Sequence, residues 1–299
     1  MKKFRNLLLF VLLLAGGLSL VFFLRKEQPI PESRFVEPDK LFQTLQRNVL
    51  DQAEFELIVD IDHARLGAEA GSPMPPSHVL IWSDPALEAA ILTHSPTAAV
   101  DLPLRVLAYE DQDSGKAAVI YNSYEFVASR HSLPDDDSLR DGYDSAISQA
   151  LKGLPDGAIA TFPSDDMPDA ALITLTSPHG FATTKKRLLD AIRAQSDTVV
   201  FGEVDFSSRS RAHGVELPPL QLVLFGGPGP GGKAMASAPT LGLDAFCQKL
   251  LIWQDEEGNV YVTFNDLLAL AERQNVSGGL PLRVINQRVR KTFSEALEQ

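Results

Sequence analysis

Any fold for this chain must use one order of strands and helices twice, because the sequence returns into register with itself after a shift of 143 residues. Pro75-Pro76 falls on Pro218-Pro219, Pro85 on Pro228, and Pro96-Thr97 on Pro239-Thr240. Asp101 meets Asp244, Gly115 meets Gly258, Asn122 meets Asn265 and Arg130 meets Arg273. One extra residue near Phe246, undone just before Gly258, sets Leu107 on Leu251 and Tyr109 on Trp253. The matches extend over about 70 residues and favour turn-forming types, a regularity that composition alone does not produce.

Periodicity gives each copy a coarse structure. In the second, Leu172–Thr176, Thr198–Phe206 and Leu220–Phe225 read as strands rich in β-branched and aromatic residues. Leu250–Trp253 and Val260–Phe264 read as a hairpin closed over Asp255-Glu256-Glu257-Gly258. A helix is expected over Phe181–Gln195, with Phe181, Leu188 and Ile192 on one face, and others over Asp266–Gln274 and Leu282–Leu297. GGPGPGG after Phe225 reads as a tight strand-exit turn. The first copy offers Val79–Trp82, Arg105–Tyr109 and Ala117–Tyr121 as strands. Leu41, Leu45 and Val49 mark its first helix, and Tyr143, Ile147 and Leu151 its closing one. Where the second copy opens on a strand, the first has Pro29-Ile30-Pro31-Glu32-Ser33, and prolines fit a linker better than a hydrogen-bonded ladder. The expected division is 1–26 as membrane anchor, 27–38 as linker, 39–152 as first domain, 153–168 as linker and 169–299 as second domain.

Leu7 to Leu24 is an uncharged apolar stretch preceded by Lys2, Lys3 and Arg5. At about 1.5 Å per residue it nearly spans a hydrocarbon core of about 30 Å, so a transmembrane helix with the body exported is expected. The competing reading is a cleaved signal peptide ending near Ala15-Gly16-Gly17, against which LSLVFFL continues the apolar run. Localisation follows: the inner membrane, single-pass, with the body in the periplasm or its equivalent. Beyond Lys26 the chain holds 22 basic residues against 39 acidic ones, a net of −17 that repels phosphate backbones and makes nucleic acid an improbable partner. The single cysteine, Cys247, has no internal partner and lies in an apolar run, as a buried inert thiol does.

The segments IDHARLGAEAG, PPSHVLIWSDP and SPTAAVDLPLRVLAYEDQDSGKAAVIYN of the first copy resemble the family named domain of unknown function 302. LPPLQLVLFGGPGPGGKAMASAPTLGLD and LLIWQDEEGNVYVTFND of the second resemble it too. The resemblance implies an α+β fold of two β-α-β4-α domains, similar to the TATA-binding protein, with the copies packed pseudo-symmetrically. It implies no reaction, and the fold analogy does not import DNA binding.

Gly227-x4-Gly232-Lys233 matches a phosphate-binding loop up to its last position, where Ala234 replaces the Mg²⁺-binding hydroxyl. Pro228 and Pro230 also remove amide donors, so no nucleotide site is expected. Asp62-His63 is an Asp-His pair that the resemblance includes; the second copy has Asp205-Phe206 instead. His63 suits a metal ligand or proton shuttle, although on an alternating strand Asp60 and Asp62 face away from it. The other histidines show no metal-binding spacing. Asn122 and Asn265 read as helix caps, Asp101 and Asp244 as turn closers, and Arg130 and Arg273 as last-turn residues favouring the helix dipole.

With no catalytic constellation common to both copies, the leading expectation is a non-catalytic binding or accessory module without a cofactor. Its small-molecule or protein partner would sit between the copies, or where the Gly226–Gly232 turn meets the Asp62-His63 strand end. The binding candidates are Asp62, His63, Asp205, Gly226 and Gly227. The alternatives are an enzyme or metal-dependent site confined to the first copy around His63, and a second copy serving purely as scaffold.

Overall fold

The computed structural model describes residues 28–162, 171–277 and 279–298. It is α+β, with one five-stranded sheet per copy. In the first copy helix α1 (Val36–Leu50) precedes β1 (Glu56–Asp62), α2 (His63–Glu69), β2 (Ser77–Ser83) and α3 (Pro85–Leu92). β3 (Leu104–Glu110), β4 (Ala117–Tyr121), α4 (Tyr124–His131), α5 (Asp137–Leu151) and β5 (Ile159–Thr161) follow. The second copy runs β6 (Leu172–Ser177), α6 (Phe181–Arg193), β7 (Val199–Asp205), α7 (Phe206–Arg211), β8 (Leu220–Gly226) and α8 (Pro228–Met235). It ends with β9 (Gln248–Gln254), β10 (Val260–Asn265), α9 (Leu267–Arg273) and α10 (Leu280–Glu298).

Short acidic or hydroxyl side chains start many of the helices. Asp62, Asp84, Ser123, Asp136, Asp205 and Asp266 each accept a backbone N–H from the first turn of the helix that follows. Such caps satisfy donors that the helix itself leaves free.

The strand orders are β1-β2-β3-β4-β5 and β6-β10-β9-β8-β7. The copies differ at one edge. β6 pairs antiparallel with β10, whereas the matching place beside β4 is taken by β5, which runs parallel. The proline-rich segment at the first copy's start forms only a 3₁₀ turn, Glu32–Arg34. Its missing strand is supplied by a stretch that reads from sequence as linker.

Each sheet has one face covered by its own long helices, and the two remaining faces meet. Leu220, Leu222, Leu224 and Leu251 of the second sheet join the core of the first copy with Val79, Ile81 and Leu107. The 3₁₀ segment Pro96–Val100 lies against β8, β9 and β10, and Pro239–Gly242 lies against β2 and β3, so each copy reaches onto the other's sheet. The short helices also cross in matched pairs, α2 with α8 and α3 with α7.

Two expectations are corrected, and three helices are added. No helix among the described residues is long and apolar enough to cross a membrane, so the fold described is two α+β domains and the expected transmembrane helix is not part of it. Leu7–Leu24, which carried that expectation, lies outside the described residues. GGPGPGG is not a turn: Gly227 is the N-cap of α8, with Pro228 in its first turn, where a missing N–H costs nothing. α2, α3 and α7, which periodicity did not reveal, fill connections between strands.

The glycines of α8 have a packing reason. A Cβ on Gly232 would lie 2.4 Å from the Ser72 carbonyl oxygen, and one on Gly67 of α2 would lie 2.8 Å from the same atom. The two helix backbones therefore touch where no side chain fits. At the matched crossing of α3 and α7 the corresponding residues are Ala89 and Ser210, both buried. The inserted residue near Phe246 is absorbed at Cys247, whose φ of 50° is left-handed.

Candidate functional site

Among the described residues, most of those singled out from sequence divide among three places. The first is the buried junction of the copies. Asp101 sits just after its 3₁₀ segment, fully buried, and binds Arg105, Arg130 (2.7 Å) and His131 Nε2 (2.6 Å). Arg130 also donates to the Asn265 side chain of the other copy. Asp244, the repeat mate of Asp101, accepts from Asn122 of the first copy at 2.7 Å and lies 3.3 Å from Arg273. Arg273 donates in turn to Asn122 Oδ1 at 2.9 Å. Arg105 of β3 reaches Asp244 at 3.4 Å, and its mate Lys249 of β9 donates to the Leu243, Asp244 and Phe246 carbonyls.

The matched Asp, Asn and Arg residues thus exchange partners across the junction. They do not cap or close local turns: Ser123 and Asp266 do the capping next to Asn122 and Asn265. Arg130 and Arg273 turn inward to carboxylates rather than to helix-end carbonyls. Local reading failed here because every such assignment looked for a partner within the same copy. The signal was the recurrence itself, since capping residues need not keep their identity between copies and a shared network must.

Charge sets the character of the junction. Burial alone would raise the Asp101 carboxyl, but Arg130, the His131 hydrogen bond and Arg105 outweigh it and hold the group well below the usual carboxylate range. Burial pushes the Lys249 ammonium down to about 8, with Arg105 adding repulsion. Burial likewise lowers Arg273, whose guanidinium stacks 3.5 Å from the Phe126 ring centroid. The Asp101 and Asp244 side chains are completely buried, and the bonds from Asn122 to Asp244 and from Arg130 to Asn265 tie the two copies together in register.

The second place lies between α2 and the start of α8. His63, Gly226 and Gly227 do come together there, lining one cavity with Phe201, Met235 and Phe246. Its volume is only about 20 Å³, space for one water. His63 is buried, its Nε2 lies 3.1 Å from the Gly242 carbonyl oxygen, and desolvation depresses its ring to about 3. It begins a helix rather than ending a strand, and its repeat mate Phe206 is buried as well. Asp205 stands apart, capping α7 through Ser208 N at 2.9 Å.

Beside that small cavity opens a groove of about 720 Å³. Ala70 and Ser72 of the first copy form one lip; Val199, Pro228, Pro230, Lys233, Leu280, Pro281 and Val284 of the second form the rest. Leu280 and Val284 are 75% and 55% exposed, unusual for large apolar side chains on a surface that is otherwise strongly acidic. Asp197 at the rim is neutralised by Arg288 at 2.6 and 2.7 Å, whereas Lys233 pairs with no carboxylate among the described residues. Sequence reading found the inward stripe Leu282, Ile285, Val289 and Phe293 of α10. The hint it passed over was Leu280 and Val284, apolar residues off that stripe.

The third place is the outer end of the β1–β2 ladder. Asp62 is not beside His63 but faces His78 across the ladder, and Arg65 joins it to Asp39. Among the described residues, Asp39, Asp62 and His78 are the group whose ligand atoms approach closely enough, within 4.8 Å, to surround one metal ion.

The family model "Domain of unknown function DUF302" matches residues 33–152 and 173–299. The crystal structure of an uncharacterized conserved DUF302 protein from Bacillus stearothermophilus is similar at 16% identity and a TM-score of 0.36, over 43% of this chain and 96% of that one. Two proteins named fluoride-specific ion channel FluC 1, from Brucella suis biovar 1 (strain 1330) and Brucella abortus biovar 1 (strain 9-941), are each 37% identical over 109 residues. That stretch is 36% of this chain and 42% and 39% of theirs, so the chain spans about two fifths of the length of these relatives. With nearly all of both copies matched, the chain belongs to the DUF302 family and carries its domain twice.

Proposed function

We propose that this protein is a non-catalytic binding module that takes a small amphiphilic molecule, an apolar body bearing one anionic group, in the groove between its copies. The observation that carries this reading is the groove itself. Its volume of about 720 Å³ is that of a small-molecule site, its walls are apolar, and among the described residues its one unpaired charge is the Lys233 ammonium. Polar groups are few and peripheral, namely Ser72, Ser196 and the neutralised Asp197. The buried network of Asp101 and Asp244 supports it by fixing the two lips of the groove relative to each other.

Dodecanoate serves as a probe, read by displacement of an environment-sensitive fluorophore and by the thermal midpoint. Val284→Asp, a change at an exposed position, is expected to weaken dodecanoate at least tenfold, about 1.4 kcal/mol, without lowering the unliganded midpoint. Equal binding by wild type and Val284→Asp, or no binding by either, removes the groove as the site.

The same reading places the body outside the cytoplasm. It is supported by the basic residues Lys2, Lys3 and Arg5 before the uncharged stretch Leu7–Leu24, and by the acidic surface of the remainder. Protease added to cells with a permeabilised outer envelope but an intact cytoplasmic membrane is expected to digest the body. Its full protection there overturns this placement.

A further inference from the structure

The end of the β1–β2 ladder holds a donor set that the groove reading does not use. Asp62 closes β1, His78 faces it as its cross-strand partner on β2, and Asp39 enters from the first turn of α1. His78 Nδ1 is 3.8 Å from Asp62 Oδ2. The His78 ring is stacked on Phe42, with centroids 3.4 Å apart and planes 11° from parallel, which fixes where its nitrogens point. Neither nitrogen has a hydrogen-bond partner among the described residues, although both are shielded from solvent. Two shielded nitrogens without a hydrogen bond on a half-buried imidazole need an explanation, because buried polar atoms are ordinarily satisfied.

The second copy shows what a purely structural version looks like. There Lys185 stands in place of Phe42 and Gln221 in place of His78. Lys185 Nζ lies 3.0 Å from Glu203 and Gln221 donates to it at 2.9 Å, closing the ladder end with a built-in cation and a saturated amide. Ala182 and Ser208 replace Asp39 and Arg65, so no second carboxylate is gathered. The first copy instead collects two carboxylates and an imidazole. Its balancing cation among the described residues is Arg65, a half-exposed side chain that binds Asp39 at 2.7 Å and also pairs with Asp62.

We propose that Asp39, Asp62 and His78 form a binding site for a divalent transition-metal ion of the zinc type, which exchanges with the Arg65 guanidinium. Two carboxylate oxygens and one imidazole nitrogen suit such an ion, leaving further positions for water. Donors about 2.1 Å from one ion lie about 3.4 Å from each other in a tetrahedral arrangement. The present spread, within 4.8 Å, closes to that by side-chain rotation once Arg65 withdraws. Arg65 has somewhere to go: its guanidinium already lies over the Phe35 ring, 4.6 Å from the centroid, with solvent beyond.

The test uses the full chain, stripped with chelator and titrated with Zn²⁺ by calorimetry, then with Co²⁺ by visible absorption. One ion per chain is expected. His78→Gln and Asp39→Asn each weaken Zn²⁺ at least tenfold and abolish the nitrogen-dependent Co²⁺ band, while Arg65→Gln tightens Zn²⁺ by removing its competitor. Absence of micromolar Zn²⁺ binding in wild type overturns the proposal. So does Zn²⁺ affinity unchanged in both ligand variants, which would mark adventitious binding to an acidic surface. Because Arg65→Gln predicts a gain, poor folding of a ligand variant does not shield the proposal: an unchanged or weaker Zn²⁺ affinity in Arg65→Gln also refutes it.

Discussion

Replacing Asp101 with alanine is expected to remove about 3–5 kcal/mol of folding stability, the largest effect of any single exchange at the junction of the two copies. The side chain is completely buried and is the anion shared by Arg105, Arg130 and His131. Alanine leaves those guanidinium groups in a buried layer that already holds Lys249 and Arg273, where Asp244 is the remaining carboxylate among the described residues. An unpaired buried charge costs far more than a lost surface contact, which is why the loss exceeds the usual worth of an ion pair. Denaturant unfolding measures it directly. The Asp101→Ala, Arg130→Met double variant is expected to recover part of the loss, since it removes one of the cations that Asp101 balances. A single variant within about 1 kcal/mol of wild type would show that water or rearrangement compensates the cations, and that the network does not lock the copies together. The same arithmetic bears on the second copy expressed alone: it would present Asp244, Lys249 and Arg273 without Asn122 and Arg105.

The second large effect is one of pH. Glu88, in α3, is 1% exposed; its carboxyl accepts from the Ser83 hydroxyl at 2.6 Å, with Arg209 at 4.0 Å. Burial raises it from 4.5 to about 8, against the opposing pull of Ser83 and Arg209. Between those values the folded protein keeps a proton that the unfolded chain has released. Stability from this group is therefore complete below about pH 4.5 and declines as pH climbs toward about 8, by at most about 1.4 kcal/mol per pH unit. Glu88→Gln keeps the acceptor for Ser83 and cannot ionise. The stability of wild type minus that of Glu88→Gln is expected to fall steadily between pH 5 and pH 8, which also cancels the contributions of other titrating groups. Parallel stability curves for the two proteins would mean that Glu88 is ionised or hydrated in the folded state.

How much of this was legible beforehand depended on whether a feature's cause is local. The hairpin of β9 and β10 was readable because alternation and the Asp255–Gly258 turn are properties of adjacent residues. The absence of an opening strand in the first copy was readable from Pro29 and Pro31 for the same reason. α8 was not, because PGPGGKAM has poor helix propensity and owes its conformation to close contact with Ser72 and Gly67 of the other copy. His63 and the glycines at 226 and 227 do converge, but on a space for one water, and only coordinates reveal a volume. Asp39 and His78 went unnoticed because the three donors come from three elements, and spacing rules detect only ligands that share one.

The borrowed edge strand β5 makes the duplicated halves unequal as portable parts. A first half cut after its closing helix, at Leu151, would leave the outer rim of β4 with unsatisfied amides and carbonyls facing solvent. Such a rim recruits other chains. The second half, by contrast, carries β6 ahead of its own first helix and brings its rim with it. The stretch between the copies is therefore as much a piece of the first sheet as a tether to the second, and shortening it would trade reach for aggregation.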